Sequence, residues 1–97
     1  MADTITLLDR VKTNLRISHN ALDAEIGETI AAARAELERL GISETKAEDD
    51  TDALITRAII TYCQYIHSND EKLKDGFWTS WLYQIDCLRM TASYRAE

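Results

Sequence analysis

The stretch Leu15–Ile42, LRISHNALDAEIGETIAAARAELERLGI, decides the fold. Leu22, Ile26, Ile30, Ala33, Leu37 and Leu40 recur at steps of 4, 4, 3, 4 and 3, which lines them up on one face of an α-helix. Asn20 stands where a capping side chain is expected. Asp23, three residues on, complements the exposed amides of a first turn, and Gly41 supplies a left-handed stop. The spacing therefore predicts one long helix from about 20 to 40.

Outward from that helix, the chain offers few places where a helix must end, since it has no proline and only three glycines among 97 residues. Leu7, Leu8, Val11 and Leu15 predict a short helix over about 6–14, capped by Thr6 with Asp9 at its third position. The run S-E-T-K-A-E-D-D-T-D reads as a polar linker whose Asp50 or Thr51 caps a third helix over 52–67. Leu54, Ile55, Ala58, Ile59, Tyr62, Tyr65 and Ile66 give that helix an apolar face broad enough for a central position. S-N-D-E-K-L-K-D-G interrupts the pattern, and a fourth helix is expected from about Phe77 to Ser93. The expected fold is all-α, one domain over 1–97, a small bundle of about four helices.

Two helices carry more than one face of interest. On the fourth, Trp78, Trp81, Leu82, Ile85 and Leu88 form a core stripe, while Tyr83, Cys87, Met90 and Tyr94 fall on a second stripe whose composition resembles an interface. On the second, Ala24, Ala31 and Ala35 lie with Glu28 opposite the core stripe. They suit either a solvated face, alanine being the best helix former, or the close approach of another backbone.

Charge narrows the partners. Residues 21–50 hold three basic and nine acidic groups out of 11 and 17 in the chain, so the net charge of -6 is concentrated there. Nucleic-acid affinity needs clustered Lys and Arg, so a DNA-gripping role is disfavoured. No apolar run approaches the length of a membrane span, and the opening M-A-D-T-I-T has no signal-peptide pattern, which reads as cytoplasmic origin. Cys63 and Cys87 lie in apolar patterns without metal-ligand or redox spacing and read as buried free thiols. His19 and His67 read as exposed or terminal. Cys63 and His67, four apart on one helix, place a thiol beside a base but lack an orienting third group. No P-loop, G-x-G-x-x-G, G-x-S-x-G or H-E-x-x-H occurs, W-T-S-W at 78–81 reads as core, and neither catalysis, a cofactor nor a metal is expected.

The arrangement resembles the phage head-tail connector family, small α-helical adaptors that attach below the portal of tailed bacteriophages. The resemblance is carried by Leu15, Arg16 and Ile17, then Asp23, Ile26, Ile30, Ala33 and Leu37 closed by Gly41. Ala58, Ile59 and Tyr62 continue it, followed by Leu88 to Tyr94 in L-R-M-T-A-S-Y. Trp78, Trp81 and the run H-S-N-D depart from the family's pattern.

The resemblance implies a structural protein of the head-tail junction, assembled in the host cytoplasm. Many copies would form a ring between the portal protein and a tail-side head-completion protein, and DNA would pass through its channel without sequence-specific binding. It also implies portal contact through the segment from Arg89 to Glu97, anchored by Met90 and Tyr94. Glu25, Glu28, Glu36 and Glu38 are the candidate channel-facing acids, because a wall that repels phosphates lets a duplex slide. A rival reading is an acidic helical binding module or small regulator of a bacterial host, although no helix carries a basic recognition face.

Overall fold

The computed structural model describes residues 6–96. The opening M-A-D-T-I and Glu97, the last residue of the segment read for portal contact, lie outside the described residues. The helices are α1 (Leu7–Leu15), α2 (Asp23–Arg39), α3 (Glu44–Ala47), α4 (Ala53–His67) and α5 (Glu71–Arg89), followed by a 3₁₀ turn over Ala92–Tyr94. The fold is all-α, with no strands among the described residues.

α1 begins as its sequence dictates, the Thr6 hydroxyl accepting from the Asp9 amide at 3.1 Å. It ends in a left-handed Arg16 at φ 60°. The start of α2 departs from expectation. Leu22 occupies the cap position without a side-chain bond, and Asn20 caps nothing. Its Oδ1 instead accepts from the Lys12 ammonium at 2.8 Å. Asp23 Oδ1 lies 2.8 Å from the same ammonium, an ion pair outside hydrogen-bond geometry. Lys12 is buried, and a buried ammonium must be paired, so the loop residues are recruited to it. The end of α2 is local and as expected. The Ile42 amide donates to Leu37 O and the Gly41 amide to Glu38 O, with Gly41 at φ 104°, the Schellman arrangement.

The predicted linker contains a helix. Ser43 Oγ accepts from the Lys46 amide to start α3, and the turn buries Ala47, a single small residue that leaves almost no periodic signal. Asp52, rather than Asp50 or Thr51, caps α4 by accepting from the Leu54 and Ile55 amides at 3.0 and 3.2 Å. Asp50 is engaged by Arg34 at 2.8 Å, and the Thr51 amide donates to Asp49. α5 starts at Glu71, not Phe77, with Asp70 as cap. Its first two turns are polar apart from an exposed Leu73, and Gly76 is accommodated because one glycine costs a helix only about 1 kcal/mol. It stops at Arg89, four residues before the predicted end at Ser93.

α4 is central as expected, packing against α1, α2 and α5. Ile26, Ile30, Ala33 and Leu37 of α2 join Ile55, Ala58, Ile59 and Cys63 of α4 and Trp81, Ile85 and Leu88 of α5 in one core. Two residues placed on the broad α4 face, Leu54 and Ile66, are instead exposed. On α5 the core stripe is Trp81, Ile85 and Leu88. Trp78 and Leu82 sit at its exposed edge, Trp78 against Tyr65 with ring centroids 5.0 Å apart.

Candidate functional site

The Cys63–His67 pair does not form a reactive site. Cys63 is buried and burial pushes its thiol up to about 12, so no thiolate is available near neutral pH. His67 turns away to α2, its Nε2 lying 3.0 Å from the Thr29 hydroxyl. His19 accepts from the Ala21 amide through Nδ1 in an exposed turn. Among the described residues no three His, Cys, Asp or Glu side chains come close enough to hold a metal ion, and no helix is long and apolar enough to cross a membrane.

What the fold leaves open is surface, of two unlike kinds. On α2, Ala24, Ala31 and Ala35 are all exposed. Gly27, Ala31 and Ala35 line a shallow trough of about 290 Å³ that ends at Glu38, with Arg34 and Glu48 on its rim. Of the four acids singled out, Glu25 and Glu28 are exposed on the neighbouring flank. Glu36 is held by Arg39 through two hydrogen bonds of 2.9 and 3.0 Å, and Glu38 is half-buried. The bonds from Arg39, opposed by slight burial, keep the Glu36 carboxyl below its ordinary value.

Between α4 and α5 runs a groove of about 670 Å³, lined by Leu54, Arg57, Tyr83, Cys87 and Leu88 among others. On α5 Tyr83 is 70% exposed and Met90 83%, a ridge of large side chains, and Leu54 of α4 is 55% exposed. Cys87 is exposed, contrary to its reading as a buried thiol.

Tyr94 does not share that ridge. The chain leaves α5 after Arg89, and the 3₁₀ turn swings Tyr94 back against the core, where its hydroxyl donates to Asp52 Oδ2 at 2.8 Å. The backbone follows: the Ser43 amide donates to Tyr94 O, the Ala96 amide donates to Gly41 O, and Ile42 and Arg95 form an isolated antiparallel bridge. Lys46 lies over the Tyr94 ring at 5.1 Å. The C-terminal segment is thus clasped to the turn after α2 and to the cap of α4.

The described residues thus form five helices whose open surfaces lie on α2 and on α4–α5. The family model described as phage connector protein matches residues 7–96, nearly the whole chain. The chain belongs to the phage connector protein family. Its members are structural proteins, in keeping with a site made of surfaces. No curated protein and no solved structure gives a match.

In this connector protein, sequence reasoning placed Ala24, Ala31, Ala35, Tyr83, Cys87 and Met90 on open faces, and all six are exposed. It missed Gly27, Leu54, Arg57 and the Asp52 clasp. Gly27 was legible in principle, as a glycine inside a strongly periodic helix, whereas the exposure of Leu54 depends on where α5 ends. The clasp carries a prediction. Burial opposes the charged form of Asp52, but the Tyr94 hydroxyl, the Ile55 and Leu54 amides and Lys46 outweigh it and hold the carboxyl below its usual 3.8. A depressed carboxyl contributes stability that is fully present above that value and is lost as the pH falls through the lower, folded-state value. Tyr94→Phe is expected to cost about 1.5–3 kcal/mol in urea unfolding at pH 7, the range for a hydrogen bond to a charged group. It should also flatten the loss of stability below pH 4. An unchanged midpoint and acid limb would mean that the clasp contributes nothing.

Proposed function

We propose that this connector protein is one subunit of a homo-oligomeric ring at the head-tail junction of the phage particle, assembled in the host cytoplasm. In this reading the ring joins the portal to the tail-side head-completion protein, and its channel passes the genome. The observation that supports it best is the presence of two unlike uncovered faces, a small-residue trough on α2 and a large-residue ridge on α5. A ring is made by head-to-tail contacts, which need two different, mutually complementary patches on every subunit. A two-fold dimer needs only one self-complementary patch.

The portal contact falls to the exposed C-terminal residues beyond Met90, which itself projects from the end of α5 as part of the ridge. Tyr94 serves it indirectly, by fixing the clasp rather than by docking. The channel role falls to Glu25 and Glu28, which are exposed and without cationic partners among the described residues, whereas Glu36 is largely neutralised by Arg39. A repeated acidic flank keeps the duplex from sticking, because no counterions are released along it.

Particles assembled without this protein are expected to accumulate as heads without tails, and the purified protein should add to portal complexes as a ring visible by electron microscopy. Tailed, infectious particles lacking the protein would overturn the reading. In assembled particles, Glu25→Lys with Glu28→Lys should slow packaging and ejection. Unchanged rates would return these glutamates to the role of a solvated face.

A further inference from the structure

Gly27 has no explanation inside its own chain. It sits within α2 with φ outside the left-handed region, and a Cβ placed on it would meet nothing within 4 Å. Glycine in a helix interior is less favourable than alanine, so the fold alone would be better served by another residue. What its absent side chain provides is depth: with Ala31 and Ala35 it forms the floor of the trough that ends at Glu38. The opposite relief stands on α5. Tyr83 and Met90 project from the same face of the helix end, seven residues and about 10.5 Å apart, and Gly27 to Ala35 spans eight residues and about 12 Å.

Charge gives the direction. Arg57 lies in the groove beside Tyr83 and has no acidic partner within 4.0 Å among the described residues, and Glu38 at the end of the trough has no cationic one.

We propose that the occupant of the α2 trough is α5 of a second copy of this chain. The two helices run antiparallel, with Tyr83 over Ala35, Met90 over Ala31 and Gly27, and Arg57 paired with Glu38. This inference rests on the ring reading and specifies which faces form its repeating contact. The ridge fills the trough while the trough's own α5 stays free to enter the next copy, so the contact is heterologous and propagates around a ring.

Sedimentation velocity of the full chain over a concentration series, alone and with portal rings, tests it. Gly27→Gln is expected to raise the melting temperature of the monomer, because glutamine is the better helix former and has open space there. The same change should weaken self-association at least about tenfold by filling the trough. Opposite signs on the two readouts are not what a merely structural glycine would give. Glu38→Arg and Arg57→Glu should each weaken assembly to a similar degree, and the double variant should recover it, because the reversed pair is remade across the contact. Wild-type assemblies that all of these variants leave intact would keep the ring and overturn this pairing of faces. A double variant no better than the singles would also overturn it. A wild-type chain that stays monomeric throughout, alone and on portals, would remove the ring and this contact together.

Discussion

Ile26→Asp is expected to abolish cooperative unfolding of this protein, or to leave a residual transition at a far lower denaturant concentration. Ile26 is fully buried in the core that α2 shares with α4, a cluster of apolar side chains. Losing the buried isoleucine removes about 1.5–3 kcal/mol of transfer free energy. An unpartnered polar group in the same place costs roughly 2–7 kcal/mol more. A domain of this size holds only about 5–15 kcal/mol in total. The sign of its pH dependence is also fixed. Burial raises the folded-state value of the new carboxyl, so the damage grows as pH rises above the ordinary carboxylate value and ionisation favours the unfolded chain. Urea unfolding followed by circular dichroism at pH 4 and pH 7 checks both points. An unaltered midpoint would show that the Ile26–Ile30–Leu37 stripe is not the face that α2 buries.

Trp81→Ala is expected to cost about 3–5 kcal/mol, the range for deleting a buried aromatic side chain and leaving its cavity. Trp81 is among the largest fully buried side chains and meets Tyr62 of α4 with ring centroids 4.9 Å apart and planes tilted by 55°. It therefore holds together the α4–α5 pair, on which the shape of the groove and the position of the α5 ridge depend. Trp78, three residues earlier, is 40% exposed and touches Tyr65 at the edge of the same seam. Its replacement by alanine should cost well under half as much, since a half-exposed ring leaves a gap that water can fill. Paired denaturation curves of the two variants measure the difference. Equal losses would mean that α5 is rotated relative to the core and that Tyr83 and Met90 do not form its outer face.

The extent to which the chain could be read differs between its two ends. On α2 the apolar steps and the stop at Gly41 were legible because both are settled by residues within two turns of one another: the periodicity picks the buried face, and the Schellman bonds join positions 37, 38, 41 and 42. The caps Thr6 and, in retrospect, Ser43 and Asp70 follow the same local rule. Asn20 broke the rule because the burial of Lys12, a consequence of packing, gave it a stronger bond than the cap would have.

The division of α5 into a buried and an open stripe followed from period alone, and Trp81, Ile85 and Leu88 against Tyr83 and Met90 follow it. Period could not place Tyr94. Continued as helix, the chain would have put it on the open stripe. Instead, residues 90–96 turn back to meet Asp52 and the turn at Gly41–Ser43, partners 42 or more residues away in sequence. The sequence by itself determined the four longer helices, most of their apolar faces and the absence of a reactive motif, since each depends on neighbours within a few residues. Tertiary structure alone decided which apolar residues stay uncovered, that Lys12 is buried and draws in Asn20 and Asp23, and that the C-terminal segment folds back onto Asp52. Those properties belong to pairs of elements brought together by the core, and no local pattern encodes the distance between them.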